Sequence, residues 1–161
     1  MIQTTSWDIK YLELAKYIAN TWSKDPSTKV GAIVVNYEHR QEFIGYNGFP
    51  DGVRDSPERL NNRNVKLKFV THAEVNAILK AGQLGKGATL YVYPSFTSSY
   101  DGPAVCNECA KIAIQAGIKE VVSYEPKINN ELLNRWKESI AISRDMFIEA
   151  GITWRGINDN N

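Results

Sequence analysis

Four consecutive segments decide the fold: HAEVNAILKAG (72–82), ATLYVYP (88–94), CNECAKIAIQAG (106–117) and KEVVSY (119–124). In the first and third segments, apolar residues recur at helical spacing and a glycine ends the pattern, as is usual at the end of a helix. The second and fourth are short apolar runs rich in β-branched and aromatic residues, which predicts strands. This alternation of helices and strands favours a layered α/β fold with parallel strands.

The rest of the chain adds elements on both sides of this unit. Further elements are predicted at 6–22 (a helix capped by Ser6), 30–36 and 42–47 (a β-hairpin), 129–150 (a long amphipathic helix) and 152–156 (an edge strand). Residues 48–70, which contain two prolines and many charged side chains, are predicted to form a loop. Structureless connections of this length are uncommon in compact domains, so such a loop usually covers something.

Size and charge exclude several classes of protein. The chain has 161 residues, 43% of them hydrophobic, which predicts one domain over residues 1–161 with a real core. Its formal net charge of +1 lacks the positive excess expected of a protein that binds a nucleic acid polymer. No run of 18 apolar residues and no signal peptide pattern occurs, so we expect a cytoplasmic protein without a membrane partner.

Four side chains with metal or acid–base chemistry lie at the starts of two predicted helices. His72 and Glu74 begin one helix, and Cys106 and Cys109, the only cysteines, begin another. Imidazole and thiolate suit Zn²⁺, and two cysteines at i and i+3 in a first helical turn point to nearly the same side. A catalytic zinc commonly has three protein ligands and leaves its fourth position to water. The pattern therefore predicts a zinc ion held by His72, Cys106 and Cys109.

Glu74 is the candidate acid–base residue. It lies two residues beyond His72, but at a helix start both side chains can face one cavity. Zinc lowers the pKa of its bound water from 15.7 to about 7, and a nearby carboxylate can take that proton and deliver it to a substrate nitrogen. These residues together predict hydrolytic attack on an amino-bearing carbon.

Two other uses of the cysteines stay open at this point. A Cys-x-x-Cys pair can be a redox pair, although such pairs usually follow the first strand of a βαβ unit and need no His-x-Glu partner. A closed structural zinc site would need a fourth ligand, for which His39, in a predicted turn, is a candidate.

His-x-Glu followed by Pro-Cys-x-x-Cys is the signature of zinc-dependent nucleobase deaminases, and this chain has it apart from the proline. The segments VTHAEVNAILKAG, GATLYVYP, CNECAKIAIQAGIKEVV, DPSTKVGAIVV and GYNGFPDGV resemble the deoxycytidylate (dCMP) deaminase family of the cytidine deaminase superfamily. The resemblance covers about residues 6–155. It implies a cytidine deaminase-like α/β fold, with a five-stranded mixed sheet flanked by helices on both faces. It also implies that His72, Cys106 and Cys109 bind zinc and that Glu74 shuttles protons.

The resemblance further implies zinc-dependent deamination of dCMP to dUMP, a precursor of thymidylate. Asn47 matches an asparagine that the superfamily places near the sugar, and Thr28 and Lys29 lie on a loop that borders the nucleotide. A turn role for Asn47 before Gly48 and a solvated position for Lys29 stay open. A homo-oligomer, often a hexamer, with activation by dCTP and inhibition by dTTP is also implied.

The sequence departs from the family at one place. Val105 stands where the family has proline before the first cysteine, and residues 96–104 look like an insertion. Tyr100 and Phe96 in that segment are candidates to stack on a base. A 5-substituted nucleotide such as 5-methyl-dCMP is therefore an alternative substrate. From another class, a noncatalytic zinc or nucleotide-binding module with a blocked site is the second alternative.

Overall fold

The computed structural model describes residues 5–95, 102–125 and 130–159 and contains one five-stranded sheet. The helices are α1 (Ser6–Trp22), α2 (Pro57–Asn61), α3 (Arg63–Phe69), α4 (Ala73–Ala81), α5 (Asn107–Gln115) and α6 (Asn130–Ala150), with a 3₁₀ turn at Gly82–Gly85. The strands are β1 (Gly31–Asn36), β2 (Gln41–Tyr46), β3 (Thr89–Tyr93), β4 (Glu120–Tyr124) and β5 (Thr153–Ile157). None of the described helices is both long and apolar enough to cross a bilayer.

The sheet is mixed and has the order β2-β1-β3-β4-β5. β1 and β2 form the predicted antiparallel hairpin, and β1 is also antiparallel to β3. β3, β4 and β5 run parallel, and α5 and α6 make the two crossover connections that parallel strands require. The predicted five-stranded mixed α/β sheet is confirmed, with β5 at its edge.

Helices cover both faces of the sheet because side chains alternate along each strand. Ile33 and Val35 of β1 pack into the cluster that contains Leu12 and Ile18 of α1. Ala32 and Val34 point the other way, into the cluster formed with α4, α5 and α6. The predicted helical layers on both faces are confirmed.

Gly45 lets α4 lie directly on β2. A Cβ at position 45 would collide with the carbonyl of Ala73 and the backbone nitrogen of Ala77. The Asn76 side chain adds a hydrogen bond to the carbonyl of Tyr46 (2.9 Å). The first turn of α4 is therefore held against the sheet by close backbone contact.

The prediction of a loop over residues 48–70 was wrong, because α2 and α3 lie within it. Pro57 occupies the first turn of α2, and the Ser56 side chain caps that helix by accepting a hydrogen bond from the backbone nitrogen of Arg59. Asn62 caps α3 in the same way. These local caps explain why two short helices form in a segment with little apolar periodicity.

The cap of α1 also differs from the prediction. Ser6 is the first helical residue, and Thr5 is the N-cap, paired with Asp8 in a capping box. Asp8 is buried and accepts hydrogen bonds from Arg155 of β5 (3.1 Å) and Tyr91 of β3 (2.7 Å). A charged network therefore fixes the start of α1 to strands β3 and β5.

Candidate metal centre and active site

The starts of α4 and α5 bring three metal-ligating side chains together. His72 is the N-cap residue of α4, Cys106 is the N-cap residue of α5, and Cys109 lies one turn later. The His72 Nδ1 atom lies 3.3 Å from the Cys109 Sγ atom and 3.5 Å from the Cys106 Sγ atom. All three ligand atoms lie within 4.8 Å of one another.

These separations fit zinc. A tetrahedral ion with bonds of about 2.3 Å to sulfur and about 2.0 Å to nitrogen places those atoms roughly 3.5–3.6 Å apart. Within the described ranges, no fourth His, Cys, Asp or Glu ligand joins the cluster. His39 instead contacts Asn36 in the β1–β2 turn (3.1 Å). The set of one imidazole and two sulfurs therefore matches a site with an open position, and the closed site through His39 is not formed.

Hydrogen bonds among the three ligand side chains favour the thiolate form of Cys106. Hydrogen bonding to Cys109 and to the His72 imidazole lowers the pKa of the Cys106 thiol, although its burial opposes this. The same contact raises the pKa of His72 to about 9. Contact with Cys106, together with burial, raises the pKa of Cys109. Both cysteines are free, so no disulfide competes for their sulfurs.

Helix α6 fixes the turn that carries the cysteines. The Ser143 hydroxyl donates to the carbonyl of Val105 (2.9 Å), and the backbone nitrogen of Asn107 donates to the Ser139 hydroxyl (2.9 Å). These bonds hold the residues on both sides of Cys106. Sequence reasoning missed both serines, because their partners lie more than thirty residues away in the chain.

Glu74 faces the same cavity as the ligands. Its side chain lies in the first turn of α4, the residue is only 6% exposed, and it lines the cavity together with His72 and Cys106. Burial raises the pKa of the Glu74 carboxyl above its ordinary value, and the adjacent His72 partly offsets this. The structure therefore brings the predicted acid–base residue and the predicted ligands together.

The cavity has a volume of about 250 Å³. Glu74, His72 and Cys106 line it, and of these Glu74 and Cys106 are buried. Its apolar walls come from distant parts of the chain and include Val70, Pro94, Ala104, Trp136 and Ile140. Such a partly apolar cavity with a few polar groups is typical of a small-molecule site.

The loop before β1 forms the opposite wall and includes the predicted residues Thr28 and Lys29. Asn47 ties this loop to the end of β2, since its side chain donates to the carbonyl of Thr28 (2.7 Å) and accepts from the backbone nitrogen of Val30 (2.9 Å). Gly48 pairs with Thr71 in an isolated antiparallel bridge, so the proposed turn role of Asn47 is wrong.

Lys29 is half-buried at the cavity and is not a fully solvated surface charge. Its Nζ atom donates to the carbonyl of Ser23 (2.8 Å). Thr28 is exposed at the same wall. Tyr100 and Phe96 lie outside the described residues, and of the predicted insertion 96–104 only residues 102–104 are described.

A buried ion pair beneath this loop was not predicted. The Lys66 Nζ atom of α3 lies 2.8 Å from the Asp25 Oδ1 atom, and both side chains are 5% exposed. Lys66 also donates to the Ser27 hydroxyl, while Asp25 accepts from the backbone nitrogens of Ser27 and Thr28. Nothing in the sequence distinguishes this lysine from the exposed Lys68 two residues later.

Comparisons with known proteins agree with this geometry. Residues 5–125 match the family described as "Cytidine and deoxycytidylate deaminase zinc-binding region". The chain is 37% identical to an uncharacterized deaminase of Aliivibrio fischeri (93% of this chain, 94% of that protein). It is 38% identical to mouse deoxycytidylate deaminase (91% and 77%). The dCMP deaminase of cyanophage S-TIM5, solved with dCMP and dUMP, shares the fold at TM-score 0.65 and 24% identity, over 96% of this chain and 99% of that one. The chain therefore belongs to the cytidine and deoxycytidylate deaminase family.

Proposed function

We propose that this protein is a zinc-dependent nucleotide deaminase that converts dCMP and water to dUMP and ammonia. The observation that carries the proposal is the position of Glu74, a buried carboxyl in the same cavity as the His72, Cys106 and Cys109 cluster. Relatives named deoxycytidylate deaminase support dCMP as the substrate.

His72, Cys106 and Cys109 would hold the zinc ion. Zinc, when bound, supplies Lewis acidity that lowers the pKa of water from 15.7 to about 7. The starts of α4 and α5 place the three ligand atoms within 4.8 Å of one another, as one tetrahedral ion requires.

Glu74 would move the protons. Its carboxylate accepts a proton from the attacking water and delivers it to N3 of cytosine while the water oxygen bonds to C4. It then carries the proton of the hydroxyl now on C4 to the exocyclic amino group, the bond from C4 to that nitrogen breaks as the C4 carbonyl forms, and ammonia leaves. Burial keeps this carboxyl out of bulk water, in the cavity that would hold the base.

Asn47, Thr28 and Lys29 would border the sugar and phosphate. All three line the cavity, and Thr28 is exposed to solvent there. The Asn47 Nδ2 atom uses one hydrogen for the carbonyl of Thr28, which leaves the second available to a ligand. Tyr100 stays a predicted base-stacking residue.

The test is the Glu74→Gln variant, with the exposed Glu108→Gln as its control. We expect Glu74→Gln to retain about one zinc per chain and to lose ammonia release from dCMP by at least about a hundredfold, the lower range for a lost acid–base group. Glu108→Gln should behave as the parent protein. Substantial turnover by Glu74→Gln would remove Glu74 from the mechanism.

A panel of substrates tests the alternatives. Ala104, at the end of the predicted insertion, lines the cavity, so this segment reaches the site and 5-methyl-dCMP stays a second candidate. Ammonia release should be compared for dCMP, 5-methyl-dCMP, dCTP, deoxycytidine and dAMP. Binding of zinc and nucleotide with no ammonia from any compound would favour the noncatalytic module.

We also propose that residues 1–161 form one catalytic domain that assembles as a homo-oligomer, often a hexamer in this family, in the cytoplasm. Activation by dCTP and inhibition by dTTP belong to the same proposal. Light scattering of the purified protein and initial rates with each effector would test the assembly and the regulation. A monomer whose rate responds to neither nucleotide would contradict both.

A further inference from the structure

One face of helix α6 contacts both the cavity and the turn that carries Cys106. Trp136 and Ile140 of this helix line the cavity. Ser139 and Ser143 lie on the same face, because helical residues three, four and seven positions apart are neighbours. These two serines contact the backbone before and after Cys106. A single helix therefore forms part of the cavity wall and also holds the turn of a zinc ligand.

The two serines hold the peptide groups on both sides of Cys106. Ser143 donates to the carbonyl of Val105 (2.9 Å), which belongs to the peptide group that precedes Cys106. Ser139 accepts from the backbone nitrogen of Asn107 (2.9 Å), which belongs to the peptide group that follows it. Because peptide groups are planar, holding both of them restricts φ and ψ of Cys106, which are −68° and 163°. The direction of its Cα–Cβ bond, and with it the place of the sulfur, depends on α6.

The contact between Ser143 and Val105 is closed to solvent. Ser143 is 0% exposed and Val105 is 1% exposed. The Ser143 hydroxyl also lies 3.0 Å from the carbonyl of Ser139, so its one proton faces two acceptors. Ser139 is half-buried, and its own hydroxyl donates to the side-chain oxygen of Asn107 (2.7 Å). Loss of the Ser143 hydroxyl would deprive a buried carbonyl of this donor, which favours a shift of the Cys106 turn.

We propose that Ser139 and Ser143 are positioning residues of the zinc site, whose hydroxyls set how firmly Cys106 retains the ion. This inference rests on the zinc site of the proposed function, because it assigns Cys106 to the ion that the deamination needs. Each serine acts through the backbone of a residue next to Cys106. Groups that orient metal ligands in this way typically contribute roughly 10–100-fold to metal affinity or to activity.

The test compares Ser139→Ala and Ser143→Ala with Ser123→Ala, which removes a buried hydroxyl from β4. Ser123 is not among the described residues that line the cavity. Ser139→Thr is the conservative variant, since it keeps the hydroxyl at a half-buried position. For each protein, the Kd for zinc is measured by competition with a chelating indicator, at a temperature well below its Tm.

We expect the Kd for zinc to rise roughly 10–100-fold in Ser139→Ala and in Ser143→Ala. Ser123→Ala and Ser139→Thr should keep the Kd of the parent protein. With cobalt in place of zinc, the visible absorption bands should change in Ser139→Ala and Ser143→Ala alone, because these bands report how the ligands surround the ion. A serine with a merely structural role would lower Tm and leave both the Kd and the cobalt spectrum unchanged.

The kinetics of the zinc-saturated proteins provide a second readout. We expect kcat for dCMP to fall at least about tenfold in both of these alanine variants, because the ion is displaced relative to Glu74. The KM for dCMP should change little, since the serines act on the metal ligand and not on the nucleotide.

The outcomes separate this inference from the proposed function. If the parent protein deaminates dCMP but Ser139→Ala and Ser143→Ala bind zinc as tightly as Ser123→Ala does, the positioning role is wrong and the proposed function stands. If both variants lose zinc affinity but the parent protein releases no ammonia from dCMP, the proposed function is wrong and the positioning role stands. If the parent protein does not bind zinc, both are wrong.

Discussion

Replacing Lys66 by methionine would show whether the buried ion pair stabilises the substrate-side wall of the cavity. Lys66 and Asp25 are each 5% exposed, and 2.8 Å separates their charged atoms. Asp25 also accepts hydrogen bonds from the backbone nitrogens of Ser27 and Thr28, both 2.9 Å long. Lys66→Met leaves this carboxylate buried without its cation.

The loss of unfolding free energy in Lys66→Met depends on the contacts that Asp25 keeps. Removing one partner of a buried ion pair typically costs roughly 3–5 kcal/mol of unfolding free energy. Two backbone hydrogen bonds still compensate the carboxylate, so we expect the lower end, about 3 kcal/mol. For a chain of this length, that loss lowers Tm by roughly 6–12 °C. Lys68→Met, an exposed change on the same helix, should cost less than about 0.5 kcal/mol.

The contribution of Asp25 to stability depends on pH, and the direction of this dependence follows from its pKa. Burial alone raises the pKa of Asp25, but the hydrogen bonds from Lys66 and from the loop backbone outweigh it and lower the pKa. In the parent protein this carboxylate therefore stabilises the fold above its unfolded pKa of about 3.9, and the contribution disappears as pH falls through the lower folded value. In Lys66→Met, burial dominates and raises the folded pKa. Protonation of Asp25 then removes the uncompensated buried charge. The difference in unfolding free energy between Lys66→Met and the parent protein should therefore shrink as pH falls from neutral towards the unfolded pKa of Asp25.

Urea unfolding of Lys66→Met, Asp25→Asn and the double variant at pH 7 and pH 5 would measure these terms. The double variant should be more stable than Lys66→Met, because no buried charge is left alone. The KM for dCMP should rise in Lys66→Met, since the loop that carries Thr28 loses an anchor. If Lys66→Met loses no more unfolding free energy than Lys68→Met, or if its loss is larger at pH 5 than at pH 7, the stabilising role of the ion pair is refuted.

Three further changes test how the site is held. Gly45→Ala should cost roughly 1–3 kcal/mol of unfolding free energy and lower the zinc content, because the new Cβ displaces the start of α4. Gly48→Ala is the control in the unfolding and metal assays, since its Cβ would have no atom within 4 Å. Cys109→Ala should lose most of its zinc on dialysis, and one zinc per chain by atomic absorption would contradict the ligand assignment. Arg155→Met leaves Asp8 buried without its cation and should cost roughly 3 kcal/mol at pH 7, and unfolding free energies equal to those of the parent protein would contradict this role.

The predicted chemistry at His72, Glu74, Cys106 and Cys109 depended on local sequence. Each pair lies within one helical turn, so its spacing alone limits where the side chains can point. Apolar periodicity likewise located α4, β3, α5 and β4, because burial of one face imposes a period on the sequence. The site geometry could be anticipated to this extent from short-range patterns.

Long-range partners could not be predicted in the same way. Lys66 and Asp25 are 41 positions apart, and Ser143 and Val105 are 38 apart. A lysine or a serine has no sequence signal for burial, since its position depends on which distant element packs against it. The α2 helix is different, because Ser56 followed by Pro57 is a helix-start signal that the sequence does contain.

Helix α6 fixes the start of α5 although no proline precedes Cys106. A proline there would restrict the backbone at the start of α5 by fixing φ. In this protein, Ser143 holds the carbonyl of Val105 and Ser139 holds the backbone nitrogen of Asn107, so tertiary hydrogen bonds restrict the same turn. The start of α4 is fixed by a comparable long-range contact at Gly45. Each turn that carries metal ligands is therefore positioned by a distant element, and the metal site depends on the packing of the whole sheet and its helices.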